Sequence, residues 1–204
     1  MKEKTKYDLI LDSLQELLES KSIQNISVSD IAQTAGIGKG SIYYYFPSKE
    51  AILDALVERS YQKPLGIANT LAQQKDIDPY TRMAMLFQAC RTSSIEFLRH
   101  DSAIANNDRK DYAYIHYKYM NYLITNLKPT LTALIQQTID NGDSHFTSPE
   151  VLAEIVLIVL VVKLDNTLVP SDSKDIKDTI RGLIELLEKG AGNPSGVLNY
   201  LTMY

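Results

Sequence analysis

The stretch SVSDIAQTAGIGKGSIYYYFPSKE, residues 27–50, predicts a helix, a tight turn and a second short helix, followed by the start of a third. Ser27 is a good N-cap and Asp30 follows three residues later, which predicts a capping box where the first helix begins. Apolar residues then recur at helical spacing and give that helix one apolar face. Gly36 is expected to end the helix, because glycine adopts a positive φ at the least cost.

The second helix is predicted to begin near Lys39 and to turn Ile42 and Phe46 inward, since these apolar residues are four apart. At about 100° per residue, the opposite face is small at its N-terminal end and aromatic further along. The outward residues are Gly40, Ser41, Tyr43 and Tyr44. Tyrosine hydroxyls can bond phosphate oxygens, and tyrosine rings can contact thymine methyl groups. The pattern therefore predicts a helix-turn-helix whose second helix enters the major groove of DNA.

Lys39 and Lys49 each stand at the start of a predicted helix, where a cation opposes the helix dipole. A shared anion would remove this conflict, and a DNA phosphate would supply it. We therefore expect Lys39 and Lys49, together with Ser27, to contact the phosphate backbone. The alternative is that both lysines are solvated surface residues.

The run ISVSDIAQTAGIGKGSIYYYFPSKEAIL, residues 26–53, closely resembles the signature of the TetR family of bacterial transcriptional regulators. The resemblance implies an all-α fold with an N-terminal three-helix helix-turn-helix domain, which we place at residues 1–47. A C-terminal helical domain for ligand binding and dimerisation would then occupy residues 48–204. The expected partner is double-stranded DNA carrying a pseudo-palindromic operator, bound by a homodimer.

The charge balance counts against one class of nucleic-acid-binding protein. The chain has 204 residues and a formal net charge of −4, and its first sixty residues carry 7 basic and 9 acidic side chains. A non-specific binder would show a basic stripe, which is absent here. A dimer that reads the groove with a few well-placed lysines remains compatible with this charge.

The sequence also indicates in which cellular compartment the protein resides. The single cysteine, Cys90, excludes an intrachain disulfide bond. The N-terminus MKEKTKYDLI lacks the apolar core of a signal peptide, and the longest apolar run, at 155–162, is too short to span a bilayer. We therefore expect a cytoplasmic bacterial protein that does not associate with membranes.

The remainder of the chain shows helical patterns interrupted by two prolines. Pro64 predicts a kink or the end of the fourth helix, and Pro129 predicts a kink or break near Lys128. The apolar segment 150–168 fits a buried strand or a buried helix by periodicity alone. We expect a helix, because no partner strand is evident.

Two of these helices, near 150–168 and 174–189, are more apolar than the core of a small C-terminal domain requires. The family resemblance implies that they form a dimer interface, as a four-helix bundle with two helices from each subunit. The alternative is that both helices belong to the internal core.

An aromatic group of residues in the body predicts a small-molecule site. Pockets for such ligands are largely apolar with a few polar groups. The candidate lining residues are Phe87, Cys90, Tyr112, His116, Tyr119 and Tyr122. The alternative is that these residues fill the core, as buried aromatic side chains normally do.

The sequence contains no pattern that indicates catalysis, a cofactor or a metal. The histidines lack metal-ligand spacing, and the glycines of GIGKG lack the spacing and the preceding strand of a phosphate-binding loop. We therefore predict a non-enzymatic repressor that a small hydrophobic or aromatic ligand releases from its operator. The alternatives are a ligand-independent or protein-controlled regulator, an activator and, last, an all-α enzyme.

Overall fold

The computed structural model describes residues 4–101 and 109–203, and within them the side chains of 4–92 and 113–203. The described residues form eight α-helices and two short 3₁₀ turns, which confirms the predicted all-α fold. The helices are, in chain order, α1 (Lys6–Leu18), α2 (Val28–Thr34), α3 (Lys39–Tyr45), α4 (Lys49–Gln73), α5 (Pro79–Asp101), α6 (Arg109–Asp140), α7 (Pro149–Asp165) and α8 (Ser173–Gly190).

The chain forms two compact units that share three helices. The first unit comprises Met1–Tyr61 with Ser94–Tyr119, and the second comprises Gln62–Ser93 with Met120–Tyr204. Helices α4, α5 and α6 therefore each contribute to both units. The functional division between residues 47 and 48 stays a prediction.

The first unit has one apolar core, to which the first four helices contribute. Its fully buried members include Ile10, Leu11, Leu14, Ile31, Ile42 and Ile52. Leu53 and Leu56 of α4 join the same cluster. Because α2 and α3 each bury only one face against this core, their opposite faces are left at the surface.

Both prolines that were expected to interrupt helices lie inside continuous helices. Helix α4 runs through Pro64 to Gln73, and α6 runs through Pro129 to Asp140. The predicted end of α4 and the predicted break in α6 are therefore wrong, whereas a kink at either proline, the other form of each prediction, stays a prediction. Buried side chains flank each proline, and their burial offsets part of the cost of the lost backbone hydrogen bond. These flanking residues are Tyr61 and Ala68 in α4, and Leu127 and Leu131 in α6.

The apolar segment after residue 149 is a helix, as expected, but it is shorter than predicted. Helix α7 ends at Asp165, and Asn166 follows in the left-handed conformation with φ of 61°. Helix α8 begins at the Asp172 cap, whose carboxylate accepts hydrogen bonds from two backbone N–H groups. Every helix in the described part of the chain is too short or too polar to span a membrane.

Candidate DNA-binding site

The helix-turn-helix begins with the capping box that its sequence predicts. The Ser27 hydroxyl accepts a hydrogen bond from the Asp30 N–H at 3.1 Å. The Asp30 carboxylate in turn accepts from the Ser27 N–H at 2.7 Å and from its hydroxyl at 2.6 Å. These hydrogen bonds from Ser27 hold the pKa of Asp30 below its usual value. The Ser27 hydroxyl is thus engaged in starting α2, and its contact with phosphate stays a prediction.

The turn between α2 and α3 depends on one glycine. Gly36 has φ of +65°, which only glycine adopts readily, and this confirms its predicted place at the end of α2. Ile37 then donates its N–H to the carbonyl of Ala32 at 3.1 Å and packs its side chain against the core. The turn is therefore closed by both backbone geometry and apolar contact, and it fixes where α3 begins.

Helix α3 turns its apolar residues inward and its tyrosines outward, as predicted. Ile42 is fully buried and Phe46, just beyond the helix, is 5% exposed. By contrast, Tyr44 is 83% exposed and Tyr43 is 51% exposed. Gly40 also lies at the surface, with open space where a side chain would begin. The outward face is therefore small at its N-terminal end, beside the half-buried Ser41, and aromatic further along.

Two further tyrosines belong to this surface, although the sequence did not single them out. Tyr45 lies with its ring centroid 5.0 Å from that of Tyr44, in an edge-to-face arrangement. Tyr7 lies in the first turn of α1, and its ring centroid is 6.4 Å from that of Tyr45 and 5.0 Å from that of Phe46. No local signal in the sequence places Tyr7 beside α3, because the contact forms only when α1 packs against the helix-turn-helix.

The two predicted phosphate-binding lysines differ in their surroundings. Lys39 is exposed at the start of α3 and makes no ion pair with any described residue. Lys49 donates from its ammonium group to the carbonyl oxygen of Ile23 at 2.5 Å and to that of Ile26 at 2.8 Å. An ammonium group has three N–H donors, so one donor of Lys49 remains for another acceptor. The phosphate contacts of both lysines stay predictions.

Several other basic residues of the first unit are paired with carboxylates. Asp12 accepts from Lys4 at 2.7 Å and from Arg59 at 2.8 Å. Burial opposes the ionisation of Asp12, but these two hydrogen bonds outweigh it and hold its pKa below the usual value. Lys21 lies 3.8 Å from Asp30. Pairing reduces the net positive charge available for DNA, which leaves Lys39 prominent on this surface.

The predicted ligand-binding residues are divided between the two units. In the first unit His116 is fully buried, and the ring of Tyr119 lies 6.2 Å from it and 5.1 Å from the ring of Tyr61. Phe87, Cys90 and Tyr122 belong to the second unit, and the side chain of Tyr112 lies outside the described side chains. A pocket shared by these residues therefore stays a prediction.

Within the second unit, the surroundings of two of these residues are defined. The ring of Phe87 packs edge-on against Tyr200 with centroids 5.9 Å apart. Burial raises the pKa of the Cys90 thiol to about 12, so the thiol stays protonated at neutral pH. Among the residues that the structure describes, no three histidine, cysteine or acidic side chains come together to hold a metal ion.

Comparison with known proteins identifies the helix-turn-helix segment. The family model for bacterial regulatory proteins of the tetR family matches residues 10–56. The HTH-type transcriptional regulator EthR of Mycobacterium tuberculosis is 42% identical over 64 residues, which are 31% of this chain and 30% of EthR. The EthR match thus spans less than a third of that relative. The family model covers most of α1, all of α2 and α3, and the start of α4.

Solved structures share the fold over nearly the whole chain. SmeT, the repressor of the Stenotrophomonas maltophilia multidrug efflux pump SmeDEF, superposes with a TM-score of 0.64 at 17% identity. This match covers 96% of the present chain and 93% of SmeT. RolR in complex with resorcinol gives a TM-score of 0.61 at 16% identity, covering 98% of this chain and 94% of RolR. Residues 10–56 therefore belong to the tetR family of bacterial regulatory proteins, and the chain shares the all-α fold of these solved structures.

Proposed function

We propose that this regulator is a homodimeric repressor that binds a pseudo-palindromic operator in the bacterial cytoplasm. The observation that carries the proposal is the outward face of α3, which presents exposed tyrosines and Lys39, a lysine without an ion pair among the described residues. Within the described residues, the hydroxyls of Tyr43 and Tyr44 make no hydrogen bond, so they are available to a partner. TetR family regulators are non-enzymatic transcription factors, which agrees with this assignment.

The contacts with DNA divide into two groups. Gly40, Ser41, Tyr43 and Tyr44 would meet the major groove and the adjacent backbone, because they form the outward face of α3. Ser27, Lys39 and Lys49 would contact phosphate groups, since each stands at the start of a helix. The DNA-binding domain would comprise residues 1–47, and residues 48–204 would dimerise and bind the effector.

Exposed apolar residues on α7 and α8 support the homodimer. Val151, Ile155 and Ile158 are 52%, 48% and 44% exposed and lie on one face of α7 at helical spacing. Leu186 of α8 is 71% exposed. An apolar stripe of this kind is costly in water and is typical of a helix that packs against a second subunit.

The effector would be a small hydrophobic or aromatic molecule. The aromatic residues of α5 and α6 support this class, and RolR, which has a similar fold, is described in complex with resorcinol. Such a ligand would bind more tightly to a conformation whose two recognition helices do not match adjacent major grooves. It would then release the operator by its differential affinity for the two conformations.

The assignment of α3 is tested by operator titration of Tyr44→Ala on a duplex selected from a random pool. The variant should lose operator binding while remaining a folded dimer, because Tyr44 is the most exposed of the tyrosines of α3. Tyr117→Ala is the matched control, since Tyr117 is also an exposed tyrosine but lies on α6. Retained affinity in Tyr44→Ala would overturn the assignment.

Resorcinol and a panel of planar phenols serve as probes for the effector class. Addition of an effective phenol to the wild-type complex should release the labelled operator, whereas a sugar phosphate should leave it bound. Release by the sugar phosphate alone would contradict the proposed chemistry. No release by any probe would favour a regulator that does not respond to this class of ligand.

A further inference from the structure

We propose that Tyr45 and Tyr7 are positioning residues that hold the exposed ring of Tyr44 in the orientation required for operator recognition. Four aromatic rings follow one another from the core to the surface, in the order Phe46, Tyr7, Tyr45 and Tyr44. We name this series the aromatic ladder. The inference rests on the proposed DNA-binding function and adds two residues, Tyr45 and Tyr7, that were not among the predicted DNA contacts.

The inner end of the ladder is fixed by the core. Phe46 is 5% exposed and belongs to the apolar cluster of the first unit. The ring of Tyr7 is tilted by 33° against it, with centroids 5.0 Å apart. Tyr7 lies in the first turn of α1, which the Thr5–Asp8 capping box holds in helical conformation. Tyr7 is therefore anchored through both its backbone and its ring.

The outer end extends this order to the surface. The ring of Tyr45 meets that of Tyr7 at 71° and that of Tyr44 at 83°. Such edge-to-face pairs are favourable, because the positive edge of one ring meets the negative face of the other. Each ring of the ladder thus restricts the next one outward.

This restriction matters most for Tyr44. Its side chain is largely exposed and makes no hydrogen bond with the described residues, so the contact with Tyr45 is its main restraint. A side chain that must become ordered on binding lowers affinity, whereas one that is already ordered avoids this cost. Tyr7 and Tyr45 would therefore increase operator affinity without themselves touching a base.

Tyr43 provides an internal comparison. It lies on the same helix and is half-exposed, but it makes no ring contact with any residue that the structure describes. Removal of the Tyr43 ring should leave the order of Tyr44 unchanged.

The first experiment measures the order of residue 44 without DNA. The chain contains no tryptophan, so Tyr44→Trp introduces a single tryptophan, which can be excited at wavelengths that tyrosine does not absorb and whose anisotropy decay reports local motion. Adding Tyr45→Ala should increase the amplitude of the fast decay, and adding Tyr43→Ala should not. Equal fast amplitudes in the two double variants would overturn the proposal, even if the protein binds no DNA.

The second experiment measures operator affinity. Tyr45→Ala should weaken binding by the dimer about tenfold, because one aromatic contact is lost in each subunit. Tyr45→Phe should retain the affinity, since it keeps the ring. Tyr7→Leu keeps an apolar contact with Phe46 and should also weaken operator binding. Thermal unfolding verifies that this variant is folded.

The two experiments separate the possible failures. If Tyr45→Phe weakens binding as much as Tyr45→Ala, the Tyr45 hydroxyl itself contacts DNA and the positioning role is wrong. If the wild-type protein selects no DNA while the anisotropy result holds, the proposed function fails and the ladder stands as a structural feature only.

Discussion

Lys49 and Lys39 occupy equivalent places at helix starts but have different contacts. The ammonium group of Lys49 donates to two carbonyl oxygens in the segment that precedes α2, whereas Lys39 makes no ion pair within the described residues. Lys49 therefore ties the start of α4 to the start of the helix-turn-helix. At the scale of the residue, the same amino acid has a structural role in one place and a charge available for binding in the other.

We predict that Lys49→Met destabilises the protein by about 1–3 kcal/mol, because two partly buried carbonyl groups lose a charged donor. Urea unfolding followed by circular dichroism measures the loss. Lys39→Met is the matched control: it should leave the unfolding midpoint unchanged, weaken operator binding and reduce its salt dependence. Unchanged stability in Lys49→Met would instead assign this lysine to DNA contact alone.

Cys90 gives a prediction with a defined pH range. Burial raises the pKa of its thiol from 9.0 to about 12, so the folded state favours the neutral thiol. The resulting contribution to stability is complete below the unfolded pKa and is lost as the pH rises from about 9 to about 12. Reaction of native protein with a thiol reagent at pH 8 should be slow, and urea should accelerate it. Rapid reaction of the native protein would show that the thiolate is accessible.

At the scale of the element, α2 depends on its cap because it has only seven residues. The cap joins the backbone and side chain of Ser27 to the carboxylate of Asp30. Because these hydrogen bonds lower the pKa of Asp30, the cap stabilises the fold above the unfolded pKa and is lost as the pH falls through the folded pKa.

We predict that Ser27→Ala lowers stability by about 1 kcal/mol, the usual effect of removing a helix N-cap. Ser29→Ala is the control, since Ser29 lies exposed on the same helix and makes no hydrogen bond with the described residues. The urea midpoints of the two variants and the wild type provide the measurement. A loss of similar size in Ser29→Ala would mean that helix propensity, and not the cap, is responsible.

Local signals in the sequence predicted the helices and the turn of the helix-turn-helix well. The Ser27 cap, the glycine turn and the inward spacing of Ile42 and Phe46 each act over a few residues, so their effect can be inferred from the sequence. The continuity of α4 and α6 through their prolines depends on the burial of flanking side chains against segments distant in sequence. A rule based on neighbouring residues cannot predict that burial.

Long-range contacts explain what the sequence could not indicate. Tyr7 meets Tyr45 only after α1 has folded against the helix-turn-helix. Similarly, Arg82 is 1% exposed and donates to the carbonyl of Leu71 at 3.1 Å, although arginine is normally a surface residue. Such pairings follow from tertiary packing, and one sequence gives no sign of them.

At the scale of the whole molecule, the account requires two copies of the chain. The exposed apolar stripe of α7 and Leu186 of α8 would be covered in the dimer. A single helix-turn-helix with few unpaired cations would bind weakly, and two such heads joined at a fixed spacing would bind one operator cooperatively.

We predict that Ile155→Glu raises the dimer dissociation constant at least about 100-fold, because an unpaired charge would be buried at the interface. Analytical ultracentrifugation measures this change, and circular dichroism verifies that the helices remain. Lys174→Glu, at an exposed polar position of α8, is the control. An unchanged dimer dissociation constant in Ile155→Glu would show that the dimer interface does not include this face of α7.

The most direct test of the central claim is selection of the wild-type protein against random duplex DNA, followed by sequencing of the bound pool. The account predicts a two-fold symmetric motif with half-sites about one helical turn apart, or a multiple of it, because two α3 helices would enter successive major grooves. An enriched motif without two-fold symmetry, or no enrichment at moderate salt, would contradict the claim that this chain binds its operator as a symmetric dimer.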